Sequence, residues 1–194
     1  MECGEDRRRA FKAEVIQKGG KMENETLNTI YSRRSVRSFT GEAVSRESLT
    51  KILRAAMAAP SAVNIQPWSF VVVTKRETLD ELCDKLPYAK MLDRAGAAIV
   101  VCGIPDKDEV FSKVYWVMDC SVASENILLA CHALGLGAVW TAVYVDNERI
   151  ATVRKILHIP ENIIPLNVIP IGVPKEKGKA LEKFKEGNIH WEGW

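Results

Sequence analysis

The chain lacks most of the devices that declare a function at first reading. Cysteine is sparse: there are 5 in 194 residues, an odd number with no C-x-x-C pair. This excludes a disulfide frame and reads as reduced thiols in a cytoplasmic protein. Cys102, Cys120 and Cys131 lie in apolar surroundings and are expected in the core. His132, His158 and His190 are far from one another and from any cysteine at ligand spacing, so no metal is expected. No apolar run approaches a bilayer span, and the charged N-terminus lacks the apolar stretch of a secretory leader, so no membrane association is expected. Net charge is slight, +2 at neutral pH, with bases and acids interspersed, which argues against a general nucleic-acid surface. There is no G-x-S-x-G, no P-loop, no His-Glu-x-x-His, no internal repeat and no low-complexity tract. Gly135-Leu136-Gly137 resembles part of a dinucleotide fingerprint but follows a helix and precedes a strand, the reverse of a phosphate-cradling turn. It reads as a helix stop.

What is present suffices for one domain with a sizeable core, since 47% of the residues are hydrophobic. Residues 1–21 are polar and poorly patterned and read as an extension. The purine-rich codons that Lys18-Gly19-Gly20 permit make Met22 a candidate start, leaving residues 22–194 as the domain. Leu27, Ile30 and Tyr31 fall at helical spacing. Ser45 caps a helix from about Arg46 to Ala58, with Leu49, Ile52, Leu53, Ala56 and Met57 on its buried face. Phe70–Val73 reads as a strand buried on both faces. A helix near Glu77–Lys85 and a strand at Ala97–Cys102 follow. The longest helix is expected from about Tyr115 to Leu134, then a strand over Ala138–Val143, a helix capped by Asp146, and a last strand at Leu166–Val173. Helices and strands intermingle without regular alternation, which favours α+β with a central mixed β-sheet flanked by helices. The polar tail ends in Trp191 and Trp194, which are costly to leave in water; an embrace of a partner subunit explains both facts.

The densest chemistry lies in Tyr31-Ser32-Arg33-Arg34-Ser35-Val36-Arg37-Ser38-Phe39. In an extended segment Arg33, Ser35 and Arg37 share one side, while Arg34 and Val36 take the other. Two guanidinium forks and a hydroxyl suit a phosphate with an electron-rich ring beside it. Taken alone, the cluster equally suits an exposed basic turn. With no evident nucleophile or acid–base pair elsewhere, a phosphate pocket points to a cofactor that carries the chemistry itself.

This cluster, then Ala58-Ala59-Pro60-Ser61-Ala62-Val63-Asn64-Ile65-Gln66-Pro67-Trp68, then the long helix ending Ala133-Leu134-Gly135-Leu136-Gly137, resemble the nitroreductase family of FMN flavoproteins. The likeness runs from Glu23 to Trp194. It implies a nitroreductase-like fold, an interlocked homodimer, and two FMN sites each built from both chains. By the resemblance, Arg33 and Ser35 hold the FMN phosphate, Arg34 assists there or at the ribityl chain, and Arg37 faces the pyrimidine edge of the flavin. Pro60, Ser61, Ala62 and Asn64 match a loop that reaches the flavin from the partner subunit, with Gln66 bracing it or touching the flavin, and Trp68 in the core. Trp140 and Thr141 match the stretch that donates to flavin N5, through the Thr141 backbone N–H or hydroxyl. Lys183 matches one cation of a phosphate clamp, and Leu181 departs from the other. The implied activity is electron transfer from NAD(P)H to a nitroaromatic, quinone or similar flat small-molecule acceptor by a ping-pong route. A reductive dehalogenase or flavin-degrading oxygenase of the same family, or a flavin-binding redox sensor, are the rival readings.

Overall fold

A computed structural model describes residues 24–176 and 178–194; the extension over residues 1–21 and the candidate start at Met22 lie outside them. The chain runs through helix α1 (Glu25–Ser32), α2 (Arg46–Met57), strand β1 (Trp68–Val73), α3 (Arg76–Lys85), β2 (Ala97–Gly103), α4 (Phe111–Ala133), β3 (Gly137–Ala138), β4 (Thr141–Ala142), α5 (Asn147–Leu157) and β5 (Ile164–Gly172). The sheet order is β1-β2-β5-β3, with β4 also on β5. Every named pair is antiparallel, and the parallel component is one bridge, Ser35 to Ala138.

Period-2 alternation on β2 divides the core between the two sheet faces. Ala97, Ile99 and Val101 join one cluster with residues of α2 and α4, while Ala98, Val100 and Cys102 join another with residues of α3 and α5. The result is a helix–sheet–helix sandwich around a fully buried β2. Caps set the helix starts as the sequence predicts at two positions. Ser45 Oγ accepts the Ser48 N–H, and the Asp146 carboxylate accepts those of Glu148 and Arg149.

Four details differ from the sequence reading. β1 pairs only with β2 and is an edge strand, so Val72 is exposed; an apolar β-branched run does not distinguish edge from centre. α4 begins a turn earlier, because Asp108 Oδ1 accepts the N–H groups of Val110 (2.9 Å) and Phe111 (2.6 Å). The strand expected over Ala138–Val143 is broken at Val139 and Trp140, though β3 and β4 meet β5 in one continuous register. Met57 faces solvent instead of the core.

Candidate functional site

α1 delivers the chain to the arginine cluster, and two apolar residues nail the cluster to the sheet. Val36 and Phe39 are buried, and the Val36 N–H donates to the Ala138 carbonyl at 3.0 Å. Gly137 makes this approach possible, since a Cβ there would stand 2.6 Å from Val36 Cγ1. Beside these anchors Arg33, Arg34, Ser35 and Arg37 line a recess of about 390 Å³, closed by Lys179, Leu181 and Lys183 from the tail. Arg34 thus faces the same recess as its neighbours, against the strict alternation expected of it. The segment makes only one ladder contact, at Ser35, and is not a regular strand. Lys179 lines this recess although the sequence motifs do not single it out; its i, i+2, i+4 spacing with Leu181 and Lys183 is the available signal.

The cations differ in how they are held. Arg33 Nε lies 2.9 Å from Glu125 Oε1 on α4 but off the hydrogen-bonding axis. Arg34 Nη2 donates to the Glu176 carbonyl at 2.7 Å. Arg37, Lys179 and Lys183 have no carboxylate partner among the described residues. His132 of α4 sits behind them, its Nε2 2.7 Å from Ser32 Oγ. Ser32 gives its single proton to the Asn28 carbonyl at 2.6 Å, so His132 Nε2–H donates to the hydroxyl. Burial first, then the Arg33 and Arg34 charges, hold the imidazole pKa below its usual 6.5.

Pro60, Ser61, Ala62, Asn64 and Gln66 form a second constellation, on a loop outside that recess. Val63, Asn64 and Gln66 all adopt positive φ (46°, 57° and 56°), a costly conformation for residues other than glycine. Several bonds hold the loop there. Ser61 Oγ accepts the Gln66 N–H at 2.9 Å, and Lys107 Nζ donates to the Gln66 carbonyl at 2.8 Å. Gln66 Nε2 donates to Asn64 Oδ1 at 3.0 Å, which leaves the Asn64 amide as the free donor. The anchor the sequence does not disclose is Asp119 of α4, only 6% exposed, whose Oδ1 accepts the Ala62 N–H at 3.1 Å. A polar residue inside an apolar helical face is its one sequence signal. Trp68 is buried in the core.

Trp140 packs against the α4 side of the core. Thr141 is buried, and its hydroxyl donates to the Val168 carbonyl at 2.6 Å. The Ser35–Ala138 bridge brings the arginine segment beside the strand that leads to Thr141. Cys102 and Cys131 are buried, with thiol pKa values raised to about 12 by desolvation, and Cys120 is pushed higher still. None is placed to act as a nucleophile.

Fold and site together define an α+β protein with a polycationic recess at its sheet edge and a strained polar loop. Comparison with known proteins then gives the family. The family model described as "Nitroreductase family" matches residues 30–86 and 80–173. The chain is 46% identical to an Archaeoglobus fulgidus protein named "Putative NADH dehydrogenase/NAD(P)H nitroreductase", over 88% of this chain and 99% of that one. A crystal structure under the same name from Parabacteroides distasonis is 48% identical, covers 89% of this chain and 100% of its own, and superposes with a TM-score of 0.84. An FMN-dependent nitroreductase from Clostridium difficile is 29% identical, with coverage of 87% and 99% and a TM-score of 0.79. The chain belongs to the nitroreductase family.

Proposed function

We propose that this protein passes electrons from NAD(P)H through FMN to a nitroaromatic, quinone or similarly flat acceptor, and does so as a homodimer. It is an oxidoreductase of the nitroreductase family, and its cofactor is FMN, in keeping with its FMN-dependent relatives. The carrying observation is the cluster of Arg33, Arg34, Ser35, Arg37, Lys179 and Lys183 around one recess. Its lining carries five cations and no acid, a set that suits a phosphate group.

In this reading Arg33, Ser35 and Lys183 hold the phosphate, Lys179 adds the charge that Leu181 does not supply, and Arg34 reaches phosphate or ribityl oxygens. Arg37 balances negative charge that develops at the pyrimidine edge. Pro60, Ser61, Ala62 and Asn64 reach across from the partner, with Asn64 Nδ2 as the donor and Gln66 as the brace. The loop's position outside the arginine recess of its own chain supports assembly from two chains. So does the exposed apolar row of Val114, Met118 and Val122 on α4, which Val110 extends just before the helix. When bound, FMN accepts a hydride from the nicotinamide ring and delivers electrons to the acceptor. Thr141 spends its hydroxyl on Val168, so any donation to the flavin from this residue falls to its backbone N–H.

Purified protein should be yellow and release FMN on denaturation. Arg33→Ala should weaken FMN binding by about 1.5–3 kcal/mol, the scale of a lost charged hydrogen bond. With NAD(P)H and a nitroaromatic, double-reciprocal plots should be parallel, because one exposed flavin face serves the two substrates in turn. Intersecting lines would overturn the ping-pong route, and recovery of FAD would overturn the cofactor assignment.

A further inference from the structure

A second cationic recess lies on the far side of Arg37. It measures about 420 Å³ and is lined by Arg37, Ser38, Phe39, Thr40, Asp93, Arg94 and Lys175. Three cations face one carboxylate, and neither Arg94 nor Lys175 is ion-paired among the described residues. The floor is fixed. The Thr40 N–H donates to the Val173 carbonyl and the Lys175 N–H to the Ser38 carbonyl, both at 3.0 Å. Phe39, 3% exposed, bridges to Pro174 beneath them. The Arg94 guanidinium packs beside the Gly41 turn (φ +94°), its Nη1 in ordinary contact distance, 3.7 Å, of where a Cβ would be. The recess thus combines cations on two segments, the Ser38 and Thr40 hydroxyls, and a backbone that holds them in place. Such a set suits a phosphate monoester, whose double charge and several acceptor oxygens engage arginine forks and hydroxyls together.

We infer that this recess is a second phosphate subsite, separate from the one assigned to FMN and sharing only Arg37 with it. Resting on the proposed function, its natural occupant is the 2′-phosphate of NADPH, which would make the protein prefer NADPH to NADH. Free phosphate offers the same chemistry and is the alternative source.

Two measurements on the flavin-loaded protein test this. Titration with inorganic phosphate, followed by calorimetry, should give saturable binding that weakens at least tenfold in Arg94→Gln and in Lys175→Gln. Absence of saturable binding, or binding unchanged in both variants, overturns the subsite. The ratio of kcat/KM for NADPH to that for NADH should fall about tenfold in each variant. Phosphate binding lost with the ratio unmoved keeps the subsite and assigns it to free phosphate. Neither Arg94 nor Lys175 lines the recess assigned to FMN, so the phosphate titration stays decisive even if that recess proves not to hold FMN. Failure of the subsite and failure of the FMN reading are therefore distinguishable.

Discussion

Asp119 is a carboxylate inside an apolar helical face, a placement that costs stability unless a specific bond offsets it. Its bond to Ala62 N–H supplies an N-terminal acceptor for the short turn Ala62–Asn64, where Ser61 contributes no side-chain cap. The strained residues that follow need such an anchor. Asp119→Asn keeps an acceptor and should retain most FMN affinity, whereas Asp119→Ala should lower affinity several-fold and increase protease cleavage within 60–66; equal behaviour of the two variants would refute the anchoring role. His132 gives a pH signature. Its folded-state pKa lies below the unfolded value of 6.5, so the unfolded chain binds more protons in that window. Its contribution to stability is complete above pH 6.5 and declines as pH falls from there through the lowered pKa. Denaturant melts of wild type and His132→Gln should diverge in that direction. A phosphate beside Arg33 and Arg34 would offset the two charges that help depress the imidazole, so its NMR titration midpoint should rise on FMN binding; a fall would place the phosphate elsewhere. The arginine motif is legible in the sequence because its residues are contiguous. Asp119 is not, because its role depends on a loop more than fifty positions away in sequence.

At the scale of elements, the site depends on how closely the arginine segment approaches β3. Gly137→Ala would drive a methyl into the branched, buried Val36 side chain, which has no free rotamer to retreat into. The segment must then shift, taking Ser35 and Arg37 with it. The expected cost is about 1–3 kcal/mol of unfolding free energy, together with weakened FMN binding. Urea melts and flavin titration read the two effects, and undiminished FMN affinity would mean that the segment binds independently of its docking. Thr141→Ala is the contrast. It removes a buried bond to Val168, costing about 1 kcal/mol of stability, yet should slow turnover less than tenfold because the hydroxyl is already committed. The helices and the buried strands are legible from periodicity and caps. β1's edge position is not, since it follows from the strand order and no local pattern encodes that order. The break at Val139 and Trp140 is equally hidden, because both residues favour strands and leave the ladder only in the tertiary setting.

For the molecule as a whole, one described chain leaves three surfaces unfinished. The α4 row of Val114, Met118 and Val122, with Val110 just before the helix, is exposed, the strained loop lies outside the arginine recess, and the tail carries Leu181, Phe184, Trp191 and Trp194 in solvent. In the proposed homodimer the second copy is expected to cover them, and each large apolar side chain it buries would contribute about 1.5–3 kcal/mol. The tail has two tasks in this arrangement. Lys179, Leu181 and Lys183 close the recess of their own chain, while Trp191 and Trp194, 80% and 103% exposed, have apolar surface available to a partner. Separating the tasks tests the assembly. Removing residues 181–194 should abolish both dimer and bound flavin, since it takes Lys183 and the tryptophans together. The pair Trp191→Ala and Trp194→Ala leaves Lys183 in place and should shift the sedimentation equilibrium toward monomer, with flavin lost only as the dimer dissociates on dilution. FMN retained by a monomer of the double variant would show that one chain completes the site, and the requirement for the partner's loop would then fall.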